Sequence, residues 1–376
     1  MRLGRGLAAL GGLAVVLAAC SLLNPLDGYT GGDAAPPTTP DATEPPADVE
    51  RPDAAIACTP HIPPGRPAPT DTATSLTVLL AAETLDLGGA ADGFDVDGLC
   101  TCPGKPACAP INATARTVCD GDGGIDNSLG PEIKAATALL PKIDGLDPTS
   151  GTGYIQRGKS TFFIELRGYN GTASDDEVRV GVYASGEIEP RDDAGPDAGP
   201  RFDGDDTWSV DRDSVLGQGA PPYQPRVEDV RGYVRDGVLV ATFDVDLKVG
   251  LVRARIKEAS LVAPLVRGDG GTFRVAGGLV TGRVRAGDLL TALETVKSPL
   301  ANTYLCRQDP IYQEAKRRLC AALDVAPTRA DDGAERACAA ISIAVRFTAG
   351  KAATGSLVTV PVEKPCGTDW YDDCTR

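Results

Sequence analysis

Alternation of apolar and polar side chains dominates the chain beyond residue 75. Phe162, Ile164 and Leu166 alternate with Phe163, Glu165 and Arg167, and Val178, Val180 and Val182 alternate with Arg179, Gly181 and Tyr183. Such a period sends every second residue to one buried face and predicts strands. Asp236-Gly237 suits a two-residue turn joining strands near 230–235 and 238–247. Beyond it, a fold-back at Val249-Gly250 sets Asp246 opposite Arg253 and Asp244 opposite Arg255 on the wet face. Phe243 then meets Ile256, and Val245 meets Ala254, inside. Thr272–Val275 and Leu279–Val284, around Gly277-Gly278, predict another hairpin.

Helical spacing is rarer. Pro131–Leu140 is one helix. Asp288 caps a second that buries Leu289, Leu290, Leu293 and Val296. Asp309-Pro310 starts a third with Ile311, Ala315, Leu319 and Ala322 inward. Strands with a few peripheral helices predict a mainly β body, an antiparallel β-sandwich with an α+β arrangement as the alternative.

Two stretches break this patterning. Residues 21–70 hold 12 of the 30 prolines and almost no large apolar side chains, so they predict a disordered, extended stalk. Glu189–Asp206, with Asp-Ala-Gly-Pro twice at 193–200, predicts a disordered acidic loop. Ahead of the stalk, Arg2 and Arg5 precede an apolar run from Leu7 to Ala19 that is too short to span a membrane as a helix. Leu17-Ala18-Ala19-Cys20 resembles the lipobox of bacterial lipoproteins. That resemblance implies removal of residues 1–19 and acylation of Cys20, and Ser21 after it implies the outer membrane. The expected organisation is a signal peptide at 1–19, a lipidated Cys20 with its stalk at 20–70, and a body at 71–376.

Setting Cys20 aside leaves 10 of the 11 cysteines, Cys58 near the end of the stalk and the others in the body. Cys58, Cys100, Cys102, Cys108 and Cys119 lie early, and Cys306, Cys320, Cys338, Cys366 and Cys374 lie late. An export signal places them where thiols oxidise, so disulfides are expected rather than a thiolate zinc site. Two odd groups cannot each close on themselves, so full pairing requires a link from early to late. Cys366 and Cys374 are close enough in sequence for local closure. Cys306 and Cys320 bracket most of a predicted helix and stand too far apart to bond, so Cys306, Cys320 or Cys338 is expected to reach the early group.

With 376 residues, 42% apolar and 24% charged, the composition fits a globular body and argues against a multispanning membrane protein. Acids outnumber bases 52 to 37 and no basic run occurs, which disfavours nucleic acid as a partner. Attachment to a membrane would therefore rest on the acyl chains, and other partners would be cell-surface proteins or glycans.

Chemistry concentrates in acids. Asp120, Asp122, Asp126 and Asn127, spaced by glycines, could curl a loop around a hard cation, and Ca²⁺ is the cofactor this pattern suggests. The segment resembles the Asp-x-Asp-Gly loops of thrombospondin type-3 calcium repeats. It departs from the EF-hand, with Ile125 where an invariant Gly belongs and Gly124 where Asp or Asn is expected. A second acidic run, Asp92, Asp95 and Asp97, could be brought beside it by disulfides. The lone histidine, His61, falls in the stalk, and no nucleophile elbow, metalloprotease helix or phosphate loop occurs, so no catalytic residue is assigned. The alternative is a carboxylate-dependent glycan hydrolase using a pair drawn from Asp92, Asp95, Asp120, Asp203, Asp205 and Glu228. A carbohydrate-binding lipoprotein is a further alternative, for which Trp208, Trp370 and Tyr371 are the exposed-aromatic candidates. Taken with Gly93–Cys102 and Cys119–Asn127, the layout resembles cysteine-rich lipoproteins of the myxobacterial kind. That resemblance implies no known activity; the function expected of such a lipid-anchored, disulfide-stapled body is a non-enzymatic surface role in structure, adhesion or ligand binding.

Overall fold

The computed structural model describes residues 58–70, 74–101, 107–112, 115, 118–139, 150–191, 199–249, 252–298, 303–361, 364–367 and 371–375. The expected signal peptide, the lipobox and most of the stalk lie outside them.

In chain order the elements are β1 (Leu76–Leu87), β2 (Cys108–Ala109), α1 (Leu129–Leu139), α2 (Ser150–Gln156), β3 (Phe162–Tyr169), β4 (Asp175–Ile188) and β5 (Asp203–Asp211). There follow β6 (Val215–Leu216), β7 (Gln224–Pro225), β8 (Val227–Arg235), β9 (Val238–Val249), β10 (Val252–Arg267) and β11 (Phe273–Arg285). The chain then forms α3 (Ala286–Leu293), α4 (Pro310–Ala321), β12 (Gly333–Ala337) and β13 (Ala340–Val358).

The mainly β character holds, but the expected sandwich does not. Strands β1, β3, β4, β8, β9, β10, β11 and β13 form a closed antiparallel barrel, because β1 pairs with β13 and β4 pairs with β8. Closure removes the free edges that two facing sheets would leave. Inside lie Leu80, Ile164, Leu166, Val180, Leu239, Ile256, Val280, Ile343 and Phe347, all essentially inaccessible. Strand β5 lies alongside β4 and runs parallel to β13. Together with β6 and β7 it covers a second apolar cluster that includes Phe163, Tyr183, Trp208, Val210 and Tyr223. That cover explains why Phe163 and Glu165, on the face opposite Phe162 and Ile164, are buried too.

The β9–β10 hairpin keeps its predicted faces but shifts by two residues. Val249 pairs with Val252, so Asp246 meets Arg255 rather than Arg253, and Val245 meets Ile256 rather than Ala254. A shift of two preserves the side-chain alternation, and Asp244 and Asp246 stay exposed while Val245 and Leu247 are buried. A bulge between Ile256 and Ala259 then brings Ala259 to Phe243. Gly277-Gly278 makes no turn. It is an irregularity inside the single strand β11, where a Cβ on Gly278 would stand 2.3 Å from the Phe347 ring. Close packing of that ring, not chain reversal, is why glycine is there.

Three other expectations change. Part of the proposed loop at 189–206 belongs to β5, where Asp206 is fully buried and accepts hydrogen bonds from the Arg201 and Phe202 amides. Residues 192–198 lie outside the described set. Asp288 falls in the first turn of α3 and Arg285 takes the N-cap position, whereas Asp309 caps α4 through the Ile311 amide as expected. The end of the stalk, residues 58–70, is strapped to the body instead of free. Its proline-rich backbone offers mainly acceptors, and the barrel wall supplies donors: Tyr233 donates to the Pro64 carbonyl and Arg235 to that of Gly65. The Thr70 amide and hydroxyl both bond Asp176.

Disulfides join Cys58–Cys100, Cys108–Cys338, Cys306–Cys366 and Cys320–Cys374, and Cys119 is disulfide-bonded as well. Cys108–Cys338 is the bond from early to late. Cys366 and Cys374 do not close on each other; each staples the C-terminal tail to the α3–α4 region instead.

Candidate metal centre

Over the outer wall formed by β9, β10, β11 and β13 lies a cap of loops. It comprises the strap around His61, the β1–β2 connection, the loop before α1, and the stretch from Leu323 to Asp332. Phe94 anchors it on Val240 and Val262 of the wall. The cap's polar floor is Arg283 on β11, fully buried, whose guanidinium grips Asp332 at 2.7 and 2.5 Å. Arg283 also donates to the Ala326 and Val96 carbonyls at 2.9 and 3.1 Å. A buried guanidinium must be paired in this way to offset its desolvation. Holding Val96 fixes the residues on either side of it, Asp95 and Asp97.

Those two aspartates meet Asp126 from the loop before α1. One carboxylate oxygen from each lies within 4.8 Å of the others, and all three residues are buried. Local bonds set each orientation. Asp126 Oδ2 accepts from the Val96 and Asp97 amides at 2.7 and 3.2 Å. Asp95 Oδ1 accepts from Gly98 N at 2.5 Å, and Asp97 Oδ1 from Leu99 N at 2.7 Å. The other oxygens, Asp95 Oδ2 and Asp97 Oδ2, are buried and accept nothing. Gly124, at φ +73°, lets the second loop approach, since a Cβ there would press on Asp95 and on Cys100 Sγ. Asp120 stands beside Asp126, held by the Thr101 amide at 2.7 Å and by the Thr101 hydroxyl.

The electrostatics follow from this crowding. Burial, reinforced by Asp97, Asp324 and Asp120, pushes Asp126 up to about 10 against the opposing bond from Val96. Burial pushes Asp97 up to about 7, with Asp120, Asp95 and Asp332 adding to it and the Leu99 amide opposing it. Asp120 and Asp324 are likewise raised, chiefly by burial. The surroundings therefore do not balance a fully ionised cluster, and the carboxyls of Asp97 and Asp126 favour their protonated forms.

Of the four residues expected to bind metal, the structure brings Asp126 into the cluster, with Asp120 beside it. Asp122 is exposed on the turn. Asn127 is committed elsewhere: its amide donates to the Gly89 and Asp92 carbonyls and its Oδ1 accepts from Ala344 N, which ties the loop to β13. From the second acidic run, Asp95 and Asp97 join, whereas Asp92 caps the Gly89 turn and faces Arg346. Asp324 is the neighbour that sequence reasoning missed. It is fixed by Ser128 and Ser342, and nothing around it in the sequence marks it.

The remaining candidates do not assemble. Asp203 and Asp205 are exposed on β5. Glu228 pairs with Arg167 and Arg179. Trp208 is wholly buried beside Phe202 and offers no surface to a ligand; Tyr371 is exposed and Trp370 lies outside the described residues. His61 is pinned rather than mobile. Its amide donates to the Gly123 carbonyl, its carbonyl accepts from Asp95 N, and its Nδ1 lies 2.9 Å from the Gly93 carbonyl.

No protein-family model, curated protein or solved structure matches this chain.

Proposed function

We propose that the protein is an exported β-barrel, anchored at the outer membrane through acylated Cys20, with a non-enzymatic surface role in structure, adhesion or ligand binding. Its cap is organised by a divalent cation, Ca²⁺, held by Asp95, Asp97 and Asp126 with Asp120 beside them. One observation carries the cation reading: three buried carboxylates converge within 4.8 Å and leave two buried oxygens without partners. Hard oxygen ligands in a small, irregular cage suit Ca²⁺ better than a transition metal. Acids that share one ion-sized site also favour a cation over glycan hydrolysis, which needs two carboxyls facing across a cleft wide enough for a sugar. Oxidation of Cys58, Cys100, Cys108, Cys119, Cys306, Cys320, Cys338, Cys366 and Cys374 supports an address outside the reducing cytoplasm.

Calorimetric titration of the chelator-stripped protein with CaCl₂ tests the ion. Saturable binding is expected in the wild type and its loss in Asp97→Asn, with a melting temperature that falls in EDTA. A melting temperature indifferent to both Ca²⁺ and EDTA removes the proposal. Labelling with palmitate that persists in Cys20→Ser would remove the anchor.

A further inference from the structure

Beside the cation cluster a cavity of about 450 Å³ opens between the loop before α1, the first turn of α1 and the segment at Ala322–Asp324. Asp126 belongs to both: it contributes to the cluster and lines the cavity. Asp95 and Asp97 do not line it, so Asp126 is the residue at which the cavity and the cluster meet. Ca²⁺ takes six to eight oxygen ligands, and the three converging carboxylates leave several of those positions open.

The walls say what could fill them. Asp120, Asp126, Glu132 and Asp324 line the cavity, and no described lining residue is basic. With no basic side chain on those walls, an anionic ligand would find nothing to pair with. A neutral ligand with adjacent hydroxyls would supply oxygen donors to the ion and could both donate to and accept from the carboxyl groups around it. Ala90, Val118, Ile125 and Pro131 add apolar wall for the C–H face of a sugar ring. The volume lies in the range of small-molecule sites. We infer that this cavity is a saccharide site in which a neutral sugar binds through a vicinal diol to the Asp126 side of the Ca²⁺ ion. The inference rests on the cation reading above and adds its ligand class.

The test uses the full chain and four probes: methyl α-mannopyranoside and maltose as neutral sugars, glucuronate as an anion, and putrescine as an organic cation. Ca²⁺ binding is measured first, with the metal alone. A neutral sugar is expected to bind the Ca²⁺-loaded protein and to lose at least tenfold in affinity in EDTA. Ala90→Trp, which fills the exposed rim, should keep Ca²⁺ binding and lose the sugar, whereas Asp126→Asn should lose both. Ca²⁺ binding without either neutral sugar overturns the saccharide site alone. No Ca²⁺ binding overturns the cation reading. Sugar binding unchanged by EDTA, stronger binding of glucuronate, or putrescine competing with Ca²⁺ each overturns the proposed mode.

Discussion

Two regions of this molecule bury their residues by opposite means. Inside the barrel, Leu80, Ile164, Val280, Ile343 and Phe347 pack without a charged group among them. On the other side of the barrel wall, the cap buries Asp95, Asp97, Asp126 and Arg283. Burial of apolar surface stabilises whatever the solution contains. Burial of carboxylates stabilises only when something meets their charge. The barrel should therefore persist under conditions in which the cap loosens, and the cap's order should depend on its disulfides and on whatever meets the charge of its carboxylates.

The sharpest way to break that contrast is in the core. Phe347→Ala removes the ring that covers Gly278 and should cost about 3–5 kcal/mol in urea unfolding, equally with and without Ca²⁺. A cost that depends on Ca²⁺ would mean that barrel and cap are not separable. Replacing Cys108 and Cys338 together by Ala should cost roughly 2–5 kcal/mol. It should also speed hydrogen exchange at the Val96 and Asp97 amides more than at Val280 or Val345; equal acceleration would erase the distinction. Ca²⁺ at a hundred times its dissociation constant should add about 2.7 kcal/mol to the wild type, and Asp126→Asn should remove that gain.

The smallest effect concerns Glu165, buried in the wall beneath the cover of β5 to β7. Burial raises its carboxyl above the ordinary glutamate value, with Arg167 opposing and Glu228 adding. The folded state thus holds this proton more tightly than the unfolded chain does. Its contribution to stability is full below the unfolded value and is lost as pH climbs through the raised one. Glu165→Gln should flatten the thermal stability profile above about pH 4.5 by at most about 1.4 kcal/mol per pH unit, the limit for one proton. An unchanged profile would show that Glu165 is as free to ionise as an exposed carboxyl.

Much of the barrel can be read from alternation. The inward sets Phe162/Ile164/Leu166 and Val178/Val180/Val182 are the ones that line the core. Alternation reports that a face is buried, not whether the sheet closes. Closure here depends on pairings such as Leu85 with Phe347, far apart in the chain, which no local pattern encodes. Gly277-Gly278 misled because a glycine pair signals either a reversal or a close approach, and only the partner ring decides which. In the site, the spacing of Asp120 and Asp126 and the neighbouring run at Asp95 and Asp97 drew attention to the right loops. Which acids turn inward is settled by the amides of Val96, Gly98 and Leu99 and by Arg283 beneath them, and those are tertiary facts.

The strap gives the molecule a mechanical polarity. Tension arriving along the chain before Cys58 meets the Cys58–Cys100 bond first, and only then the hydrogen bonds at His61, Pro64, Gly65 and Thr70. Cys100 belongs to the loop that carries Asp95 and Asp97. The pull is therefore delivered to the cap that carries the acidic cluster, while the ladder of the barrel is loaded last. Force applied ahead of Cys58 would disturb the three converging aspartates before any strand came apart.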